Sequence, residues 1–201
     1  DRHTIALLED GSVVCWGSDF YGQCNVPGGL SNPADPVIQI SGGYNHTIAL
    51  LESGQVICWG SNSGGQCNVP NGVGTVENPV AQVSGGGVHT VALLVDGSVV
   101  CWGSNVFGQC DVPIGVGTPE SPVVQLAAGG LHTVALLENG SVVCWGYNAN
   151  GQSDVPIGVG IPENPVLQIA AGSDHTIARL QDGSIVCWGW NFYGQTDVPK
   201  G

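Results

Sequence analysis

This 201-residue chain predicts an all-β fold, a β-propeller built from four-stranded antiparallel blades. Three observations carry the prediction. The first is a period of 43 residues, unbroken by insertion or deletion, marked by His3, His46, His89, His132 and His175 and by Trp16, Trp59, Trp102, Trp145 and Trp188. A period in this range belongs to solenoids, propellers and arrays. The second is that the apolar runs are short, β-branched and bounded by Gly, Pro and Asp. They are too short for helices and suit strands buried on both faces. The third is hairpin chemistry at one fixed place in each repeat: Asp-Gly at 10–11, 96–97 and 182–183, Asn-Gly at 139–140, and Ser53-Gly54. Each is a tight turn that needs positive φ.

One copy illustrates the elements in order. Residues 79–83 (PVAQV) read as a first strand, closed by the Ser-Gly-Gly-Gly of 84–87. Residues 89–94 (HTVALL) read as a second, ended by Asp96-Gly97, and residues 98–102 (SVVCW) as a third. After a loop at 103–107, residues 108–113 (GQCDVP) read as a fourth, and 114–121 connect onward. The whole of 1–201 is expected to be a single propeller segment, with repeats at 1–45, 46–88, 89–131, 132–174 and an incomplete 175–201. The first strand occurs only at Val37, Val80, Val123 and Val166, whereas the others occur five times. A closed ring therefore needs a further strand. The chain has no methionine and opens inside a repeat at Asp1-Arg2-His3, so a processed or partial polypeptide is expected.

Composition narrows the partners. Net charge is −13, with Arg2, Arg179 and Lys200 the only Lys or Arg. Nucleic-acid binding depends on such cations neutralising phosphates, so no nucleic-acid partner is expected. No apolar run approaches the roughly 20 residues of a spanning helix, and no membrane insertion or signal peptide is read.

The pattern GG-x-x-HTxALLxDGxVxCWGxNxxGQ resembles the repeat of the regulator-of-chromosome-condensation family. The ending seen in Gly194-Gln195-Thr196-Asp197-Val198-Pro199 is similar to bacterial secreted members such as a propeller β-lactamase inhibitor protein. The resemblance covers the entire chain. It implies a seven-bladed ring and an extracellular or cell-surface setting. The chain is too short for seven blades, and five would need only a few more residues.

The repeated chemical groups read as structural. Equivalent histidines in a propeller form a ring too wide to bring nitrogens to the ~2.1 Å of a zinc site. Each imidazole is expected instead to bond backbone at the turn before its strand. Cys15, Cys58, Cys101, Cys144 and Cys187 precede the periodic Trp, while Cys24, Cys67 and Cys110 follow nine positions later. Hairpin neighbours at 15–24, 58–67 and 101–110 suit disulfides, and small buried hydrophobes are the alternative. An active site is normally a unique constellation, whereas every copy here carries the same Ser, His and Asp. The expected protein is no enzyme and uses no cofactor.

The repeats differ chiefly in the loop after the third strand: SDFY (18–21), SNSG (61–64), SNVF (104–107), YNAN (147–150) and WNFY (190–193). Apart from the periodic tryptophans, the aromatics are Phe20, Tyr21, Phe107, Tyr147, Trp190, Phe192 and Tyr193 in this loop, and Tyr44 between strands one and two. Up-and-down strand order puts both loops on one end of the disc, and ten of the sixteen acids fall in turns and connectors at the other. A charge-poor aromatic face fits protein recognition, with packing of the rings over blade edges as the bland alternative. The function read from the sequence is therefore a non-enzymatic protein-binding module acting through this face. Assembly with copies of itself into an oligomer or fibre, and stacking on glycans, are the competing functions.

Overall fold

The computed structural model describes residues 3–30 and 32–199, so Arg2 and Lys200 lie outside the described residues. Five antiparallel sheets follow one another along the chain. The first pairs β1 (His3–Leu7) with β2 (Val13–Gly17). The second is β3 (Val37–Gly42), β4 (His46–Leu51) and β5 (Val56–Gly60). The third is β6 (Val80–Gly85), β7 (His89–Leu94) and β8 (Val99–Gly103), and the fourth is β9 (Val123–Ala128), β10 (His132–Leu137) and β11 (Val142–Gly146). The fifth is β12 (Val166–Ala171), β13 (His175–Leu180) and β14 (Ile185–Gly189). Each sheet is one blade of a β-propeller.

Local sequence explains the hairpins. The Leu94 N–H donates to the Ser98 carbonyl at 2.8 Å and the Gly97 N–H to the Leu94 carbonyl at 3.0 Å, with Gly97 at φ 85°. Only glycine adopts that φ freely. The Asp96 carboxylate accepts from the Ser98 N–H and hydroxyl at 2.9 and 2.6 Å, fixing the turn.

The fourth segment differs from the expected strand. At 108–113 the Asp111 N–H bonds the Gly108 carbonyl and the Val112 N–H bonds the Cys110 carbonyl, so the backbone coils into successive turns. Asn105 Oδ1 takes the Cys110 N–H at 2.8 Å, diverting a donor that a ladder would have used. The segment still lies along the third strand, with Cys101 Sγ 3.6 Å from the Gln109 carbonyl oxygen. Each full blade is thus a three-stranded ladder with a turn segment folded along its edge.

The core lies between blades. Ile48, Leu50 and Val56 of the second blade pack on Val80, Val83, Ala92, Leu94 and Trp102 of the third. The alternate residues Ala49 and Leu51 face the other way, toward Val37 and Leu7. The middle strands are therefore buried on both faces, which is why HTIALL and HTVALL read as continuous apolar runs.

Candidate functional site

A polar relay at each blade junction fixes the angle at which the loops are presented. His89 Nε2 lies 3.0 Å from Thr133 Oγ1 in the next blade, and that hydroxyl donates to the Gln109 carbonyl at 2.9 Å. Because the threonine proton is committed to the carbonyl, the imidazole must be the Nε2–H tautomer and donate to the threonine oxygen. The Trp145 indole N–H joins the same carbonyl at 3.0 Å. The relay recurs as His3–Thr47–Gln23, His46–Thr90–Gln66 and His132–Thr176–Gln152. The histidines thus bond across the blade junction, not to backbone at their own turns as the sequence reading expected. A side chain one blade away is invisible to local spacing.

Glutamines provide a second set of ties. Gln23, Gln66, Gln109 and Gln152 are buried. Their Oε1 atoms, with that of Gln195, accept the backbone N–H two residues back, at Tyr21, Gly64, Phe107, Asn150 and Tyr193. Gln82 on the inner strand uses its whole amide, donating to the Leu126 carbonyl at 2.9 Å and accepting from the Leu126 N–H at 2.8 Å. Gln39 and Gln125 do the same one blade earlier and later. Sequence reasoning assigned none of these glutamines or threonines a role, although their unvarying 43-residue recurrence was there to be seen.

The two loops expected on one face are bonded to each other. The N–H groups of Ser61, Ser104, Tyr147 and Trp190 donate to the carbonyls of Asn45, Val88, Leu131 and Asp174 at 2.7 to 2.9 Å. On this face Trp190 and Phe192 are nearly parallel, 10° apart with centroids at 6.2 Å. Tyr193 stands across both, at 80° and 86°. Phe192 and Tyr193 are each 77 % exposed. Phe107 and Tyr147 meet edge to face across adjacent blades at 4.9 Å, and Phe20 and Tyr21 at 5.6 Å.

Tyr44 departs from the other seven. Its ring crosses Gly87 and Gly130, where a Cβ on Gly87 would sit 2.7 Å from Tyr44 Cε2, and its hydroxyl bonds Ser173. Positions 44, 87, 130 and 173 are equivalents in four successive repeats, so one large, two minimal and one hydroxyl residue together make a strap. The strap covers a cavity of about 260 Å³ lined by glycines and by Ser41, Ser84 and Ser173.

The face is also not charge-poor. Asp19, Asp111, Asp154 and Asp197 are exposed there and Asp174 is half-buried. Asn105, Asn148 and Asn191 donate to one oxygen each of Asp111, Asp154 and Asp197, at 2.7 to 2.8 Å. These carboxylates were overlooked because all but Asp19 lie outside the four-residue loops, in flanking segments that fold back beside them.

Among the cysteines, Cys15 and Cys24 form a disulfide, and Cys58 Sγ lies 2.7 Å from Cys67 Sγ. The hydrogen bond from Cys58 to Cys67, then burial, pushes the Cys58 thiol up, and the contact with Cys110 does the same to Cys101. Cys144 has Ser153 nine residues on, where the first three repeats have a second cysteine, and burial pushes its thiol up to about 12. Mild oxidation is expected to close 58–67 and 101–110. Intact mass after alkylation of the unfolded, unreduced protein should then count two free thiols, Cys144 and Cys187. A count of six would refute the two further closures. Among the described residues no group of three or more His, Cys, Asp or Glu is placed to hold a metal ion.

Successive antiparallel blades joined face to face, with variable ring-bearing loops at one end and acidic turns at the other, define a repeat-built β-propeller. The Regulator of chromosome condensation (RCC1) repeat matches residues 1–23, 37–66, 80–109, 123–152 and 166–195, and the chain belongs to that family. Among solved structures, the chain is similar to the ectodomain of the Arabidopsis thaliana receptor kinase ACR4, at 28% identity over 100% of this chain and 66% of that one, TM-score 0.73. It is similar to the ectodomain of the Physcomitrella patens receptor kinase CR4, at 26% over 99% and 52%, TM-score 0.74. Prp20p of Saccharomyces cerevisiae, described with its binding to Gsp1p and histones, shares the fold at 22% over 99% and 57%, TM-score 0.80. The chain spans between half and two thirds of the length of these structures. Among curated proteins none matches.

Proposed function

We propose that this chain is a non-enzymatic recognition module that engages another protein through the loop face bearing Phe20, Tyr21, Phe107, Tyr147, Trp190, Phe192 and Tyr193. The observation that carries the reading is that exposed rings gather at one end of the disc on backbone pinned by glutamine side chains. Exposed aromatic patches mark interaction surfaces, and aromatic anchors dominate binding hot spots. A backbone held in place before binding loses less entropy on association. The Cys15–Cys24 disulfide and the likeness to receptor-kinase ectodomains favour an extracellular or cell-surface setting.

The test compares wild-type protein with Trp190→Ser/Phe192→Ser/Tyr193→Ser as bait in a native extract. Ile114→Ser/Ile157→Ser serves as control, since both isoleucines are fully exposed elsewhere. A discrete protein set bound by wild type and control, and lost about tenfold with the loop variant, is the expected result for hot-spot residues. Equal capture by all three would sink the reading, and binding of the wild type to a glycan array would favour sugar stacking.

A further inference from the structure

The loop face carries two kinds of group that coincide blade by blade. The third-strand loop of the second blade, Ser61-Asn62-Ser63-Gly64, has no ring and no acid, and Asn68 stands where the third, fourth and fifth blades have an acid. Every other blade pairs rings with a carboxylate: Phe20 and Tyr21 with Asp19, Phe107 with Asp111, Tyr147 with Asp154, and Trp190, Phe192 and Tyr193 with Asp197. The fifth blade is the densest. Asn191, between Trp190 and Phe192, donates to Asp197 Oδ1 at 2.8 Å, and the Asp174 carbonyl accepts the Trp190 N–H at 2.8 Å. Both acids are therefore tied to the backbone that carries the rings. Asp197 Oδ2 has no partner among the described residues.

Nothing described in the protein neutralises these acids. Arg179 is the single Lys or Arg among the described residues, and its Nε lies against Gln168 Oε1 at 3.4 Å, on the strand ladder. Elsewhere carboxylates are used to build turns: Asp10, Asp96 and Asp182 hold Ser12, Ser98 and Ser184, and Asp35 accepts from Ser53 with both oxygens. Those turns carry no rings. An aromatic ring attracts a cation within about 6 Å of its centroid. The spacings of 5.0 to 6.2 Å within the Trp190–Phe192–Tyr193 cluster let one cation reach more than one ring at once. Charge complementarity then selects a positive partner and rejects an acidic one.

Resting on the recognition reading above, we propose that the partner segment is basic, and that a lysine or arginine side chain of it seats against Trp190, Phe192 and Tyr193 beside Asp174 and Asp197. The remaining ring-and-acid pairs of the first, third and fourth blades receive further basic side chains of the same segment. The second blade is the gap in this row.

The experiment titrates a blocked hexa-arginine peptide, with hexa-glutamate and a Gly-Ser hexamer as controls, into the intact protein by calorimetry. Three variants are compared: Asp174→Asn/Asp197→Asn, Trp190→Leu/Phe192→Leu, and the charge-matched Asp96→Asn/Glu138→Gln on the opposite end. The expected result is hexa-arginine binding that weakens about tenfold in the first two variants and less than about twofold in the third, as local charge and ring contacts require. Equal weakening by both acid pairs would make the attraction one of overall charge and overturn the proposal. So would unchanged affinity in the ring variant, or no binding of hexa-arginine at all. If any of these occurs while the triple-serine loop variant still loses its captured proteins, the recognition face stands and its basic partner falls.

Discussion

Acidification from pH 7 to pH 4 is expected to unfold the protein cooperatively near pH 5. Burial, and then the neighbouring His3, holds His46 down to about 4, against an ordinary value of 6.5. Burial, with His46 and His132 on either side, holds His89 down to about 3. Burial and His175 hold His132 at about 4 against the opposing pull of Asp174. The relay supplies the physical cause. Nε2 already carries the proton that bonds threonine, and the Nδ1 atoms of His46, His89 and His132 are buried with no hydrogen-bond partner. A second proton would create a buried donor and a buried charge together.

The sign follows from the lowered folded values. Between 6.5 and 4 the unfolded chain binds protons that the folded chain refuses, so stability rises with pH in that window. The contribution is complete above 6.5 and is lost as pH falls toward 4. At about 1.4 kcal/mol per pH unit for each group, three histidines lose on the order of 10 kcal/mol together, comparable to a typical total stability of about 5–15 kcal/mol. The Asp10, Asp96 and Asp182 carboxyls are held below their usual range by bonds from serine, so their loss falls at lower pH and is separable. Urea unfolding followed by circular dichroism at half-unit pH steps measures the slope. A midpoint that stays flat from pH 6.5 to 4 would rule the mechanism out.

A substitution at a blade junction should cost far more than one at an exposed connector. Trp145→Ala is expected to destabilise the protein by about 4 kcal/mol, in the range of large-to-small core changes, and Ile157→Ala by less than about 1 kcal/mol, as for exposed positions. Trp145 is 7 % exposed, packs with Val91 and Leu93 of the preceding blade, and donates its indole N–H to the Gln109 carbonyl. Ile157 is fully exposed. Thermal unfolding of the two variants beside wild type reads the difference directly. Equal losses would mean that the tryptophan does not stabilise the junction.

Most of the strand pattern was legible in the sequence, and so was the ring-bearing face. Asp96-Gly97 and its equivalents are turns because local bonds from Ser98 and the positive φ of glycine need no distant partner. The fourth segment was misread because alternating Gln, Cys, Val and Pro look extended, while the loop asparagine that captures its backbone N–H lies five residues away. Tyr44 was grouped with the free rings because its partners, Gly87, Gly130 and Ser173, belong to other blades. Counting strands brings the two loops together, as their backbone bonds do, but the carboxylates beside them come to light only when the flanking segments fold back on the loops.

By itself the sequence determined the period, the hairpins and the end of each blade to which the variable rings belong, since these follow from residues within one repeat. Only the tertiary structure decided which atoms of one blade meet the next: histidine with threonine 44 residues on, tryptophan with the glutamine carbonyl 36 residues back, Tyr44 with Ser173. The physical reason is that burial and hydrogen bonding at a junction are properties of two surfaces brought together.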